Sequence, residues 1–451
     1  MRAFLKTQIQ TRSIPQILCF GVIVALLIRW GLLYEESKDY VRHLEPWYDF
    51  ISANGGLAAL KSDFSDYTPT YQYWLVIASS WLTALPKIIA IKLPSILCDF
   101  LCAFFVYRLV QLKYPQGKRP IIAFLTVLLT PTVFINSALW GQCDSLYTSG
   151  LLACVYFLCL HREAWAFMGL GVAFALKQQT VFLIPALGIL ALKKRLSWVS
   201  FLWVPLIYVV STLPAWAAGR PFKDLMLVYF NQANQYHRLS ANAPSVFALF
   251  PFQQKLYYFW FGLGLLLTLG EIAWVTRCVL NSDRPITSER IVVLAFLSVL
   301  VVPYFLPKMH DRYFYPADVM AIPFGFYFPQ YYWVAVVVEV VSLISYIPRL
   351  WVTVPLPIIF WASLAVMLPV GVVTCVPVKT MKMRVRRWQI FAVLGYSAFF
   401  WPDLLRQDTA PLLFFVLSLV LGCTVLLMLK RCQSFFPATP LQSHAISHRQ
   451  D

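Results

Sequence analysis

Two acids in different surroundings carry the chemistry this chain could do. Asp39 ends the run Glu35-Glu36-Ser37-Lys38-Asp39, directly after the first apolar segment. Asp144 stands in Trp140-Gly141-Gln142-Cys143-Asp144-Ser145, directly before another apolar run. A carboxylate at the edge of a bilayer is expensive to keep ionised, so it is read first as a functional residue. One such acid could take a proton from an attacking hydroxyl, and a second could orient the reactants or steady a developing cation. Each also has a plainer reading. Asp39 could be a solvated loop acid, and Asp144 before Ser145 could simply cap the helix that follows. Trp47, Tyr48, Phe50 and Tyr67 follow Asp39 closely, and a loop so rich in aromatics packs and can hold a carboxylate still.

The complementary charges lie further along. Lys177 is flanked by Phe174, Leu176, Val181 and Phe182. Midway across a membrane such a lysine cannot snorkel and needs an anion or a polar cavity; nearer water it is an ordinary helix-end lysine. Gln178 and Gln179 beside it offer hydrogen bonds to a sugar or a phosphate, and Gln142 does the same beside Asp144. Lys308, His310, Asp311 and Arg312 share one short segment between apolar runs. Two fixed cations and a histidine suit an anionic headgroup, because arginine can grip phosphate oxygens in a fork; the alternative is a loop that pairs its own charges. No second histidine lies at ligand spacing from His310, so no metal site is read there. Residues 231–245, with Tyr236 and Asn242, could close over a substrate or form only a mobile cover. Arg29, near the end of the first apolar segment, either snorkels or points inward.

These residues must be positioned by an all-α bundle. Of 451 residues, 60% are hydrophobic and 13% charged, and apolar runs of span length recur from Ile14 to Leu429. Helices satisfy their own backbone polar groups in lipid, and the short alternating strands of a membrane barrel are absent. The pattern predicts a polytopic transmembrane bundle of about 12–14 membrane segments, with a structured first outer loop. The net charge of +17 reads as positive-inside loops rather than nucleic-acid binding. The ten cysteines form no CxxC pair, and most lie in apolar runs as small core residues. The run from Ile14 to Tyr34 follows Arg2, Lys6 and Arg12 and reads as a retained signal-anchor.

Charge parity then sets the topology. With the N-terminus cytoplasmic, the first span delivers residues 35–70 outside, and that loop holds seven of the 20 acids. Residues 71–86 read as an interfacial or re-entrant helix. A span from Ile88 to Leu112 returns inside, and one from Ile121 to Leu139 places Asp144 on the side of Asp39. Parity then requires residues 165–192 to split near Lys177-Gln178-Gln179 into two short helices that meet within the membrane. Residues 219–255 read as a long outer loop. The basic loop from Lys379 to Arg387 and Lys430-Arg431 fall inside, which makes both termini cytoplasmic. The polar tail 433–451 reads as disordered.

The ordered stations Ser37-Lys38-Asp39-Tyr40, Pro46-Trp47-Tyr48-Asp49-Phe50-Ile51, Phe64-Ser65-Asp66-Tyr67-Thr68-Pro69, Trp140-Gly141-Gln142-Cys143-Asp144-Ser145, Ala175-Leu176-Lys177-Gln178-Gln179 and Lys308-Met309-His310-Asp311-Arg312-Tyr313 resemble the GT-C superfamily of integral-membrane glycosyltransferases, in particular the group similar to GPI mannosyltransferase II. The resemblance implies a catalytic transmembrane module over residues 1–330, followed by additional transmembrane helices over 331–432. It implies a hexose, mannose first among candidates, moved from a polyprenyl-phosphate donor such as dolichyl-phosphate mannose to a hydroxyl of a lipid or glycan acceptor, with inversion. It makes Asp39 the first-loop acid acting at the acceptor and Asp144 the second-loop acid. Lys177, Lys308, His310 and Arg312 would meet the donor phosphate, and Gln142, Gln178, Gln179, Asp311, Tyr236 and Asn242 the sugars. No cofactor is implied, and a divalent metal is not favoured. The partners are membrane lipids and no nucleic acid, in a bacterial plasma membrane or the endoplasmic reticulum. Two other classes compete: a transporter or flippase of lipid-linked sugars, which should show two matched halves, and a non-catalytic scaffold of a glycosylation complex.

Overall fold

The computed structural model describes residues 2–235, 238–250, 256–350 and 410–437. Tyr236, the proposed spans and basic loop between 351 and 409, and residues 438–451 lie outside these residues; the tail expected as disordered from 433 instead begins with residues that continue the last helix to Phe435. Among the described residues, seven helices are long and apolar enough to cross a membrane, and a bent pair makes an eighth. Three shorter apolar helices complete the bundle. The expected all-α transmembrane architecture is what the chain adopts.

The chain starts with α1 (Arg2–Leu32) and runs through α2 (Glu45–Ala53) and α3 (Pro69–Trp81) to α4 (Lys87–Lys113). The first loop is therefore largely helical. Lys87 at the start of α4 clamps it with 2.9 Å ion pairs to Glu45 and Asp49. Lys92, fully buried, closes the C-terminal end of α1 by donating to the carbonyls of Leu33 (2.9 Å) and Glu35 (2.6 Å). A cation over those unsatisfied carbonyls is matched to the negative end of the helix dipole.

α5 (Arg119–Leu129) leads into α6 (Pro131–Phe134), which continues as a π-helical turn to Leu139. The single span expected over 121–139 is instead bent by 47°. Thr130 before Pro131 is extended (ψ 125°), as the proline ring demands, and the proline cannot donate to the preceding turn.

α7 (Asp144–Cys159) and α8 (Glu163–Leu176) pack closely enough that a Cβ on Gly150 would lie 2.6 Å from the Gly169 carbonyl oxygen. Lys177 follows in extended conformation, then a 3₁₀ turn Gln178–Leu183 and α9 (Ile184–Leu192). The split required by charge parity is present, with the Lys177-Gln178-Gln179 triplet at the apex.

α10 (Trp203–Ala217) and α11 (Phe222–Gln235) follow. The region expected as a long loop over 219–255 thus contains a four-turn helix, whose aromatic Tyr229 packs on Phe174 and Tyr208. The remaining helices are α12 (Tyr257–Leu280), α13 (Ser288–Phe305), α14 (Tyr315–Tyr327), α15 (Tyr332–Leu350) and the last described one, Ala410–Phe435.

Long-range bonds define two ends. At one, Lys113 meets Glu289 at 2.7 Å and Lys193 meets the Ser282 carbonyl at 2.6 Å. At the other, Thr68 donates to the Ala175 carbonyl at 2.6 Å and Trp140 reaches Asp39. Arg29 points inward: its guanidinium holds Asp99 at 3.0 and 2.8 Å and the Leu128 carbonyl at 2.9 Å, tying α1, α4 and α5 together inside the bundle. Breaking such a pair from one side leaves a buried charge alone, at a cost of about 3–5 kcal/mol.

Candidate active site

Asp39 is held by three donors from two separate segments. Its Oδ2 accepts from Gln142 Nε2 (2.7 Å), Trp140 Nε1 (3.0 Å) and Arg312 Nη1 (3.2 Å). Oδ1 receives none of these bonds. The backbone around Asp39 is fixed as well: Ser37 Oγ donates to the Trp140 carbonyl at 2.7 Å and accepts from the Tyr40 amide at 3.0 Å. The Trp140-Gly141-Gln142 turn needs glycine at its centre, where φ is +76° and a Cβ would press on Leu44 at 3.3 Å. Gln142 uses both ends of its amide, since Tyr67 Oη donates to its Oε1 at 3.1 Å. The solvated-loop reading of Asp39 does not survive this cage of donors.

Asp144 is fully buried and does not cap its helix. Its carboxylate instead takes an ion pair from Lys177 through Oδ1 and a 2.8 Å hydrogen bond from Asn136 Nδ2 through Oδ2. Arg312 Nε lies 3.9 Å from the same Oδ2. Lys177 is also flanked by the rings of Tyr67 (5.5 Å) and Tyr147 (5.7 Å), which face a cation favourably. Arg312 thus bridges the two acids singled out from sequence, and both lie at one end of the bundle.

The loop carrying Arg312 is pinned by a short parallel pairing of Met309–His310 with Ser240–Ala241, and by an isolated bridge between His310 and Asn242. Asn242 (φ 59°) and Lys308 (φ 64°) both adopt the left-handed conformation to make this turn. Asn242 therefore serves the loop's backbone and does not line the cavity described below, contrary to its expected contact with sugar. Lys308 is likewise not where a phosphate ligand belongs: its ammonium donates to the Ala233 carbonyl at 2.7 Å and sits over the Phe261 ring. Asp311 is fully buried and is not a sugar ligand; it pairs with Arg349 at 2.7 Å and accepts the Arg312 amide at 2.9 Å. Burial raises the Asp311 carboxyl to about 6, against the opposing pull of Arg349 and Arg312. His310 lies 3.3 Å from Arg349 through Nδ1. Burial, followed by the nearby charges of Arg312, Arg349 and Lys177, pushes it down to about 3.

These groups face a cavity of about 280 Å³. Asp39, Lys177 and Arg312 line it with Gln142, Gln178 and Gln179, as does His310. Asp144, Lys308, Asp311 and Asn242 do not. Asp66 and Gln232 are shared with an adjoining cavity of about 300 Å³, lined also by Asp63 and Asp224. Among the described residues, no cluster of three or more His, Cys, Asp or Glu is arranged to hold a metal ion.

Several residues of the wall were not singled out from sequence. Arg349 contributes a cation, Arg42 another, and Tyr229 an aromatic surface beside Tyr67 and Tyr313, which the sequence had already marked. Nothing in Pro348-Arg349 signals that α15 ends beside Asp311. Asn136 lies in an apolar run, and its reach to Asp144 depends on the bend at Thr130. Arg42 follows Asp39 by three positions, the one local signal that was available.

No protein-family model and no curated protein sequence matches the chain. Among solved structures the chain is similar to the crystal structure of ArnT from Cupriavidus metallidurans bound to undecaprenyl phosphate, with a TM-score of 0.50 and 12% identity over 92% of this chain and 77% of that one. At that identity the likeness concerns the fold alone, a polytopic helical bundle, and the seven long apolar helices make it an integral membrane protein.

Proposed function

We propose that this chain is a glycosyltransferase that moves a hexose from a polyprenyl-phosphate donor to an acceptor hydroxyl at the membrane face. The observation that carries the reading is a carboxylate with one oxygen fixed by three donors and the other free of them, lining one cavity together with several cations. Asp39 Oδ2 is engaged by three donors, and the cavity it lines also bears Lys177, Arg312 and Arg349. The bound undecaprenyl phosphate named for the similar ArnT structure supports a donor of that chemistry.

In this reading Asp39 Oδ1 takes the proton of the acceptor hydroxyl as its oxygen attacks C1 of the donor sugar. The bond from C1 to the phosphate oxygen breaks, and its electron pair leaves with polyprenyl phosphate. Attack opposite the leaving group inverts the anomeric centre, through a transition state with oxocarbenium character. Lys177, Arg312 and Arg349 neutralise the departing phosphate; fixed charges do this with little reorganisation. Asp144 acts differently from Asp39. Buried behind the wall, it holds Lys177 and Arg312 in place and is a positioning residue. Because Arg349 contributes to the cavity, the catalytic unit extends past residue 330. In this reading the termini lie in the cytoplasm and the site outside, the orientation that positive-inside charge favours.

The test is direct. Purified protein is incubated with labelled polyprenyl-phosphate mannose and polyprenyl-phosphate glucose against a panel of lipid and glycan acceptors, and the product's anomeric configuration is read by NMR. Transfer with inversion is expected. Tight binding of polyprenyl-phosphate sugar with no transfer to any acceptor would favour the flippase or scaffold instead.

A further inference from the structure

The bend between α5 and α6 creates a backbone problem inside the bundle. Thr130 is extended and Pro131 has no amide hydrogen, so a new helix starts in mid-membrane. Val133 and Phe134 turn their amides to the Thr130 carbonyl at 3.1 and 3.2 Å. The Thr132 amide has no such partner within the turn. Glu339 of α15 supplies one: its Oε1 accepts the Thr132 amide at 3.0 Å and its Oε2 the Thr132 hydroxyl at 2.8 Å. Glu339 is 2% exposed and Thr132 fully buried. A carboxylate is an efficient cap for a helix start, where the dipole is positive, and an ionisable group at this depth calls for a role.

What hangs from the capped segment gives that role. Within seven residues it carries Asn136, which reaches Asp144 at 2.8 Å, Ser137, which reaches Asp99 at 2.5 Å, and Trp140 and Gln142, which fix Asp39 at 3.0 and 2.7 Å. Ten residues beyond Glu339 on the same helix stands Arg349, in the cavity wall. We propose that Glu339 is a positioning residue: by capping the second half of the broken span it sets the aim of Asp39 through Trp140 and Gln142, and ties that wall to the one bearing Arg349. This inference rests on the transfer reaction proposed above.

The test compares Glu339→Leu, Glu339→Gln and Thr132→Val in the full chain. A misplacement of about 1 Å at a reacting group lowers turnover by roughly 10²-fold, so Glu339→Leu is expected to lose about that in kcat, with donor KM within about threefold of wild type. Gln still offers the Thr132 amide an acceptor and is expected to recover most of the loss. The loss from Glu339→Leu should not multiply with that from Gln142→Ala, because both act through Asp39. Hydrogen exchange across residues 131–143 reads the positioning without the reaction: faster exchange there in Glu339→Leu, restored in Glu339→Gln, is expected. Wild-type kcat or unchanged exchange in Glu339→Leu would overturn the inference, as would Leu and Gln variants equally impaired. If Glu339→Leu does not fold, Thr132→Val is read in its place: it removes the 2.8 Å bond to Glu339 and is expected to lower kcat and speed exchange across residues 131–143 relative to Glu339→Gln, and wild-type values in Thr132→Val overturn the inference. A wild-type protein that transfers nothing would sink the function, while the exchange result still decides the role of Glu339.

Discussion

Asp39→Asn isolates the chemical step from the architecture around it. The three donors on Oδ2 require an acceptor, so the asparagine must direct its carbonyl oxygen at Gln142, Trp140 and Arg312. Its amide nitrogen then occupies the place of Oδ1, and a proton acceptor facing the cavity becomes a donor. Every hydrogen bond of the cage is kept, so the thermal midpoint should hardly move. Removing a general base lowers turnover by about 10²–10⁴, equal to roughly 2.7–5.4 kcal/mol of barrier. The donor KM should stay level or fall, because the 3.2 Å partner of Arg312 loses its negative charge and the wall becomes more positive. A fall in kcat with no rise in donor KM marks an interaction made in the transition state and not in binding. The assay is single-turnover transfer from labelled polyprenyl-phosphate sugar at saturating acceptor, with donor affinity measured separately. Turnover within about threefold of wild type would refute the assignment of Asp39 as base, since a positioned base is worth far more than that. A large rise in donor KM at constant kcat would place Asp39 in donor binding instead.

Lys177→Met should destabilise by about 3–5 kcal/mol, because it leaves Asp144 buried without its cation; adding Asp144→Asn should restore most of the stability in thermal unfolding and none of the activity. Asp311 should govern a pH dependence. With its folded value raised to about 6, protonation below that point removes the charge that holds Arg349, so donor KM should rise as pH falls through about 6, and Asp311→Asn should flatten the profile. Stability should move the opposite way: folding favours the protonated form, so it is lost as pH rises from the ordinary carboxylate range to about 6, and Asp311→Asn should remove that slope in pH-dependent unfolding. His310, pushed down to about 3, stays neutral across this window and adds nothing to it. Lys308→Ala, which removes a cation bonded to Ala233 and outside the cavity, should leave donor KM within about twofold, a change on the scale of a surface contact; a tenfold rise would return Lys308 to the phosphate site.

The bundle and the grouping of its loops at two ends were legible because hydrophobic run length and charge parity act along the sequence. Parity even located the break at Lys177, since a single span over 165–192 would have put Lys193-Lys194-Arg195 on the wrong side. Asp39, Gln142, Lys177 and Arg312 were legible for a related reason: a polar residue against an apolar background announces its cost. What did not show was where each polar group spends its bonds. Lys308 and Arg312 look equivalent four residues apart, yet a left-handed turn at Lys308 sends one ammonium to α11 and the guanidinium to the cavity. Asp311 and Asp144 read as site acids, and the fold buries both behind the cations they hold. Arg349 reaches the site only because α15 packs beside the loop of Asp311, a contact no local pattern encodes. α11 was missed because its apolar run, 225–230, is short and leads into Asn231-Gln232-Ala233-Asn234-Gln235, which resembles loop composition.

The ionic network explains why acids that never face the cavity would still matter to transfer. Three cations crowd one wall, and alone they would repel one another in a poorly solvated site. Asp144 lies against Lys177 and Arg312, and Asp311 against Arg349. Each buried carboxylate lets a cation stand near its neighbours while the cation's other side remains open to the cavity. Asp39 completes the set from within the cavity, where it shares Arg312 with Asp144. When an anionic phosphate enters, the same cations gain a second partner in front without losing the one behind. A leaving group is thereby met by charge that was already fixed before it arrived, which is the condition under which electrostatic stabilisation favours the transition state over the bound ground state. On this logic a buried acid and its cation act as one element, and replacing either should affect turnover by a similar factor.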